Sequence, residues 1–154
     1  MASPITNSYA ATVSTTCTQA SLSSSTAGVG RVATEFSTAN ATHMSVMQKF
    51  KNGTSPANNS PVYVFAVANN GAGTPVRTDG VGATDAGATF LNANLNMTLT
   101  NAAAAATGDT IIANVTIPVG WPTMSLGVVQ ATTVTANATG SNFDLSYILF
   151  NLQM

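Results

Sequence analysis

Apolar and polar residues alternate along much of the chain, with a period of two. From His43 to Lys51, Met44, Val46 and Phe50 fall on one face and Ser45, Lys49 and Lys51 on the other, with Met47 and Gln48 out of rhythm. That period predicts a strand with one buried face. Pro61 to Ala68 is apolar on both faces, which predicts a strand covered from both sides. Extended structure resumes from Thr89 to Thr100, with Leu91, Leu95, Met97 and Leu99 at odd positions. Further strands are expected over Ile111–Ile117, which stops at Pro118, over Met124–Thr135, and over Phe143–Leu152. Ala102–Ala106 has the composition of one helical turn, but the neighbouring Thr107 and Gly108 make a loop an equal reading.

Between these runs lie turns rich in Gly, Pro and Asn. Asn52–Pro61 is a polar loop, Asn137–Asn142 a turn, and Trp121 sits in a Val-Gly-Trp-Pro turn. Asn69–Gly87 is a glycine-rich connection longer than most, which points to an interfacial or functional role. About seven or eight short strands without an amphipathic helix predict an all-β fold, an antiparallel β-sandwich of jelly-roll type. Its expected core is Val62, Val64, Phe65, Leu95, Leu99, Ile111, Val115, Ile117, Leu126, Val128, Leu145, Tyr147 and Leu149. No internal repeat of fixed period is present. Residues 1–27 are rich in Ser, Thr and Ala, with Tyr9, Val13 and Leu22 as the main apolar anchors. They read as an N-terminal arm or first strand that gains order by contact with a partner. Residues 28–154, opening on the Gly28-Val29-Gly30 break, read as the sandwich domain.

Charge changes this picture most. Only 6% of the 154 residues are charged, and the net charge is −1; an average globular domain carries about 25%. Ala, Thr, Asn and Ser number 25, 24, 15 and 14. Mean hydropathy is +0.24, and 45% of residues are hydrophobic, so global disorder is not expected. A surface of small uncharged residues suits close packing between subunits, because no charge is desolvated. Four Lys and Arg in the whole chain argue against nucleic-acid binding. No run approaches the roughly 18 apolar residues of a membrane span. The start MASPITNSY has neither a basic region nor an apolar run, so no signal peptide is expected.

The residues that carry chemistry are few. His43 is the one histidine and falls in a predicted strand, where a surface or interface position is the simpler reading than an acid–base role. Cys17, the one cysteine, excludes an intrachain disulfide and reads as an inert thiol. Asp79 and Asp85 bracket Gly80–Thr84, but the ligand ladder and distal Glu of a calcium loop are missing, so both read as turn-forming aspartates. There is no phosphate-binding loop and no Gly-x-Ser-x-Gly elbow. No catalytic residue, cofactor or metal is assigned, and an enzyme is not expected.

Two stretches carry a resemblance. Gly28-Val29-Gly30-Arg31, followed by Glu35 and an alternating strand, is one. The other is Val62-Tyr63-Val64-Phe65-Ala66 running into a loop with Thr78-Asp79-Gly80 and Thr84-Asp85-Ala86. Together they resemble a family of small β-sandwich virion proteins that decorate, or cement, the capsids of tailed bacteriophages. The resemblance covers residues 8–90; beyond it, the Gly120-Trp121 turn and an apolar last strand are kept. It implies a structural protein made in the host cytoplasm and located on the virion, bound to the outside of the major capsid protein shell and to its own copies as a homo-oligomer, with no nucleic-acid or membrane partner. A tail, fibre or host-attachment protein, or a β-sandwich adhesin module, shares the composition and is the alternative.

Overall fold

The computed structural model describes residues 8–151. Among them are eleven strands: β1 (Ser8–Tyr9), β2 (Val13–Ser14), β3 (Val29–Val32), β4 (Phe36–Ser37), β5 (His43–Lys51), β6 (Pro61–Asn69), β7 (Ala86–Thr89), β8 (Asn94–Thr100), β9 (Thr110–Pro118), β10 (Thr123–Gln130) and β11 (Asp144–Asn151). They form two antiparallel sheets packed as a β-sandwich. Sheet A runs β1–β11–β5–β9, with β2 also on β11; sheet B runs β7–β3–β10–β6–β8, with β4 also on β10. Thus β1 and β2 are two pieces of one interrupted edge along β11, and β3 and β4 are two pieces of one strand along β10. The pieces beyond the expected strand number are two to four residues long, too short for a period to register. Ala102–Ala106 forms turns, not helix.

Strand β5 shows why the period worked. Its alternation is unbroken: Met44, Val46, Gln48 and Phe50 all point inward and are fully buried, while Met47 points out. Gln48 therefore belongs to the core face. A buried amide is tolerated when hydrogen-bonded. Gln48 Nε2 donates to Gln19 Oε1 at 2.9 Å, and Gln19 Nε2 returns a longer bond to Gln48 Oε1 at 3.4 Å. Across the sandwich these residues meet Val62, Val64, Leu99, Leu126 and Val128 of sheet B, with Leu145 and Tyr147 beside them in sheet A. Each such burial is worth about 1.5–3 kcal/mol.

Two expected core residues, Phe65 and Leu95, lie on the outer face of sheet B. Leu95 is 52% exposed. Val64 pairs with Met97 but Phe65 pairs with Leu95, so Asn96 is an extra residue in β8. A bulge of this kind shifts the alternation by one. Met97 and Leu99 stay in the core, and Leu95 moves to the outer face beside Phe65. Phe65, Ile111, Val115 and Leu149 are half-buried at the margins of the two clusters.

Residues 8–27 are held by the sandwich itself. Thr15 and Ser25 donate their backbone N–H groups to Leu145 and Gln130 carbonyls at 2.8 Å, and Ser21 donates to Asn137 at 3.0 Å. Gln130, fully buried, donates Nε2 to the Leu22 carbonyl at 2.8 Å. Cys17 and Leu22 pack against the core, while Val13 is exposed. The expectation of an arm ordered by a partner missed these ties because the anchors, Gln19 and the backbone, are polar. The expected anchor Tyr9, as a side chain, and the first seven residues of the arm lie outside the described residues, as does the end of the last strand beyond Asn151.

Candidate interaction surface

A second apolar cluster lies on the outer face of sheet B. Val32, Val67 and Val129 point outward from their strands; Val81 closes over them from the long connection after β6, and Phe90 from the turn after β7. Phe90 stacks on Phe65 with ring centroids 5.2 Å apart and planes 3° from parallel. Its ring occupies the space above Gly127, where a Cβ would come within 2.3 Å of it. Glycine at 127 is what lets an aromatic lie flat on the strand.

The charged residues serve this connection. Arg77 holds Glu35 with two bonds of 3.0 Å, and Asn69 Nδ2 adds a third at 2.7 Å. Asp85 accepts from Arg31 Nε at 2.6 Å, from the Thr18 N–H at 2.9 Å and from the Thr18 hydroxyl. Asp79, at a φ of 58° in a one-turn 3₁₀ helix, accepts the N–H groups of Leu91, Asn92 and Ala93 at 2.8–3.0 Å. Five of the chain's nine charged side chains thus clamp one loop to the sandwich. The hydrogen bonds from Arg77, ahead of burial, hold the Glu35 carboxyl below its ordinary pKa. Burial pushes Asp79 and Asp85 up, but the donors around each outweigh it and lower both.

The cations are therefore not gathered into a patch. Arg31 and Arg77 are each neutralised on the sheet B side. Lys49 and Lys51 lie on the outer face of β5 in sheet A, with no ion pair among the described residues. His43 stacks on Phe150 at 5.6 Å and meets the Thr42 hydroxyl at 3.0 Å. The Cys17 thiol is pushed up to about 12, by burial first and then by the Asp85 carboxylate. Among the described residues, no three His, Cys, Asp or Glu side chains group as metal ligands, and no helix is long and apolar enough to cross a membrane.

What the outside does offer is a belt of exposed apolar side chains with uncharged polar groups between them. A cleft of about 530 Å³ opens where β8 and β9 meet, lined by Leu95, Ile117, Met124 and Trp121. Asn96 also lines it, and its Nδ2 is buried without a hydrogen-bond partner among the described residues. Leu95 is shared with a groove of about 490 Å³ that also takes in Tyr63, Phe65, Phe90 and Leu91. Trp121 is shared with a shallower hollow at Val76 and Ala68. Leu91 is 76% exposed, Val76 66% and Trp121 49%. One charged residue, Arg77, borders these hollows, and Glu35 already neutralises it. Exposed apolar residues joined in this way mark contact surfaces.

Compared with protein-family models, curated proteins and solved structures, the chain matches none. The surface thus rests on its own geometry. Sequence reading missed it because Leu95 and Leu91 look like ordinary alternate positions of a strand, and only the bulge at Asn96 turns Leu95 outward. Trp121, the one tryptophan, was the available signal, as an aromatic in a Gly/Pro turn.

Proposed function

We propose that the protein is a structural, non-enzymatic virion component that binds the outside of a phage capsid and stabilises it, attaching to the major capsid protein shell and to its own copies. The observation that carries this reading is the uncharged apolar belt from Val76 through Trp121 and Leu95 to Leu91. It lies on a chain whose charges are mostly taken up in clamping its own loop. Such a surface binds by shape, backbone hydrogen bonds and apolar contact, with little electrostatic steering. Many copies on a repeating lattice multiply a modest interface without new chemistry.

The strand order adds support. With β1/β2 and β3/β4 each taken as one strand, the sheets read β1/β2–β11–β5–β9 and β3/β4–β10–β6–β8, with β7 added at one edge. That is the order expected of a jelly roll, a fold used by viral capsid proteins and by lectins. A fold alone does not assign a role, so the surface has to be tested directly. Purified protein should pellet with undecorated phage heads. Binding should be nearly flat across a salt series, weaken in urea, and fall when Trp121 and Leu95 are replaced by Asp. Failure to pellet with heads at any salt concentration rejects the reading. A steep loss with rising salt rejects the apolar mode of attachment.

A further inference from the structure

The sandwich has four sheet edges, and they are not alike. A free edge offers a row of unpaired N–H and C=O groups that templates another strand, and folded proteins blunt such edges by shortness, bulges, charge or proline. In sheet B, β7 is four residues long and β8 carries the Asn96 bulge. In sheet A, the β1/β2 edge consists of two-residue pieces. The fourth edge, β9, has none of these devices. It is nine residues long and keeps an unbroken register against β5 from Thr110 to Pro118. It carries no charged residue, and its proline comes only at the last position. Among the described residues, β5 is its only hydrogen-bonded strand neighbour; β8 of sheet B lies close to it without pairing.

We infer that β9 pairs with β9 of a second copy, antiparallel and centred on Asn114, the middle of the strand. Full overlap then places Asn114 opposite Asn114 once, on the two-fold axis, and Ile112 opposite Thr116 twice, by symmetry. No like charges meet across this seam. The exposed Ile112 side chain of each copy then meets Thr116 of the other directly, with Asn114 and Pro118 on the diagonals of the same face. Self-pairing is selected because, among the described residues, each other edge of a copy is short or bulged, which leaves β9 as the long partner for β9. It also closes: a two-fold contact consumes both open edges and leaves the blunted ones, giving a dimer and not a fibre. This deepens the self-association in the proposed function and does not depend on a viral shell.

Sedimentation equilibrium of the full chain over a concentration series tests it. The wild type should show a monomer–dimer equilibrium. Asn114 is exposed, so Asn114→Lys and Asn114→Asp should keep the wild-type circular dichroism spectrum. Each sets two like charges face to face and should raise the dissociation constant about tenfold or more. An equimolar mixture of the two variants should associate more tightly than either alone. Three results overturn the inference: wild type monomeric at every concentration, variants that dimerise as well as wild type, or a mixture no tighter than its parts. An Asn114→Lys variant that loses head binding while the wild type is monomeric would assign the edge to a shell strand instead. Head pelleting through the Trp121–Leu95 belt is a separate measurement, so either idea can fail alone.

Discussion

The sharpest test of the outer cluster is a double-mutant cycle on Gly127 and Phe90. A Cβ added at Gly127 would lie 2.3–2.4 Å from two carbons of the Phe90 ring, and the third nearest heavy atom is also of that ring, at 3.1 Å. Gly127→Ala alone must therefore push the ring off Phe65, at about 1–3 kcal/mol, the usual cost of overpacking. Phe90→Ala removes a ring that is 5% exposed and stacked on Phe65. Truncations of this kind cost about 3–5 kcal/mol, and a loop free to settle should fall near 3. Independent effects would add to about 4–6 kcal/mol. Because the ring is the obstruction, the double variant should instead cost about 3 kcal/mol or less, since the new methyl partly fills the space left. The expected coupling is thus about 1–3 kcal/mol of relief. Urea unfolding followed by far-UV circular dichroism measures each corner. Costs that add to within about 0.5 kcal/mol would refute the argument that Gly127 exists to seat Phe90.

Other outcomes follow from the same contacts. Glu35, Asp79 and Asp85 all have depressed folded-state values, so their stabilisation is present above the unfolded carboxylate range near pH 4 and is lost as pH falls through the folded values. Hydrogen-exchange protection, measured against the intrinsic rate at each pH, should therefore fall in residues 70–93 before it falls in the core strands; a core that loosens first would count against the clamps. Gln48→Leu leaves the Gln19 amide buried without its partner and should cost about 1–3 kcal/mol, with much of that regained in the Gln19→Leu, Gln48→Leu double variant; thermal unfolding that shows the double variant worse than the single would contradict this. The Cys17 thiol, pushed up to about 12, should resist alkylation at pH 8 in the folded protein and react readily in denaturant. Equal rates in both states would disprove the burial argument.

Much of the architecture was legible along the chain, because a strand's side-chain period is local. Met44, Val46 and Phe50, the apolar run at Pro61–Ala68 and the alternation ending at Pro118 specify strands whatever they later pair with. Nine charged residues in 154 likewise exclude a solvated, ion-studded exterior whatever the fold. Pairing is not local, and it decided the rest. Gln48 looked like a break in the pattern until Gln19, 29 residues away, supplied its hydrogen bond inside the core. Residues 15–25 looked like a loose arm, but the carbonyl and amide groups of β10, β11 and the chain between them fasten it. Leu95 looked buried, and one extra residue in β8 turned it outward, since a single step of register exchanges the two faces of a strand. Sheet order alone decides which strand lies at an edge, and so leaves the uncharged β9 open while β5, with its two lysines, sits inside the sheet. The sequence set which segments are strands; the neighbours each strand met set which of its atoms remain free to meet something else.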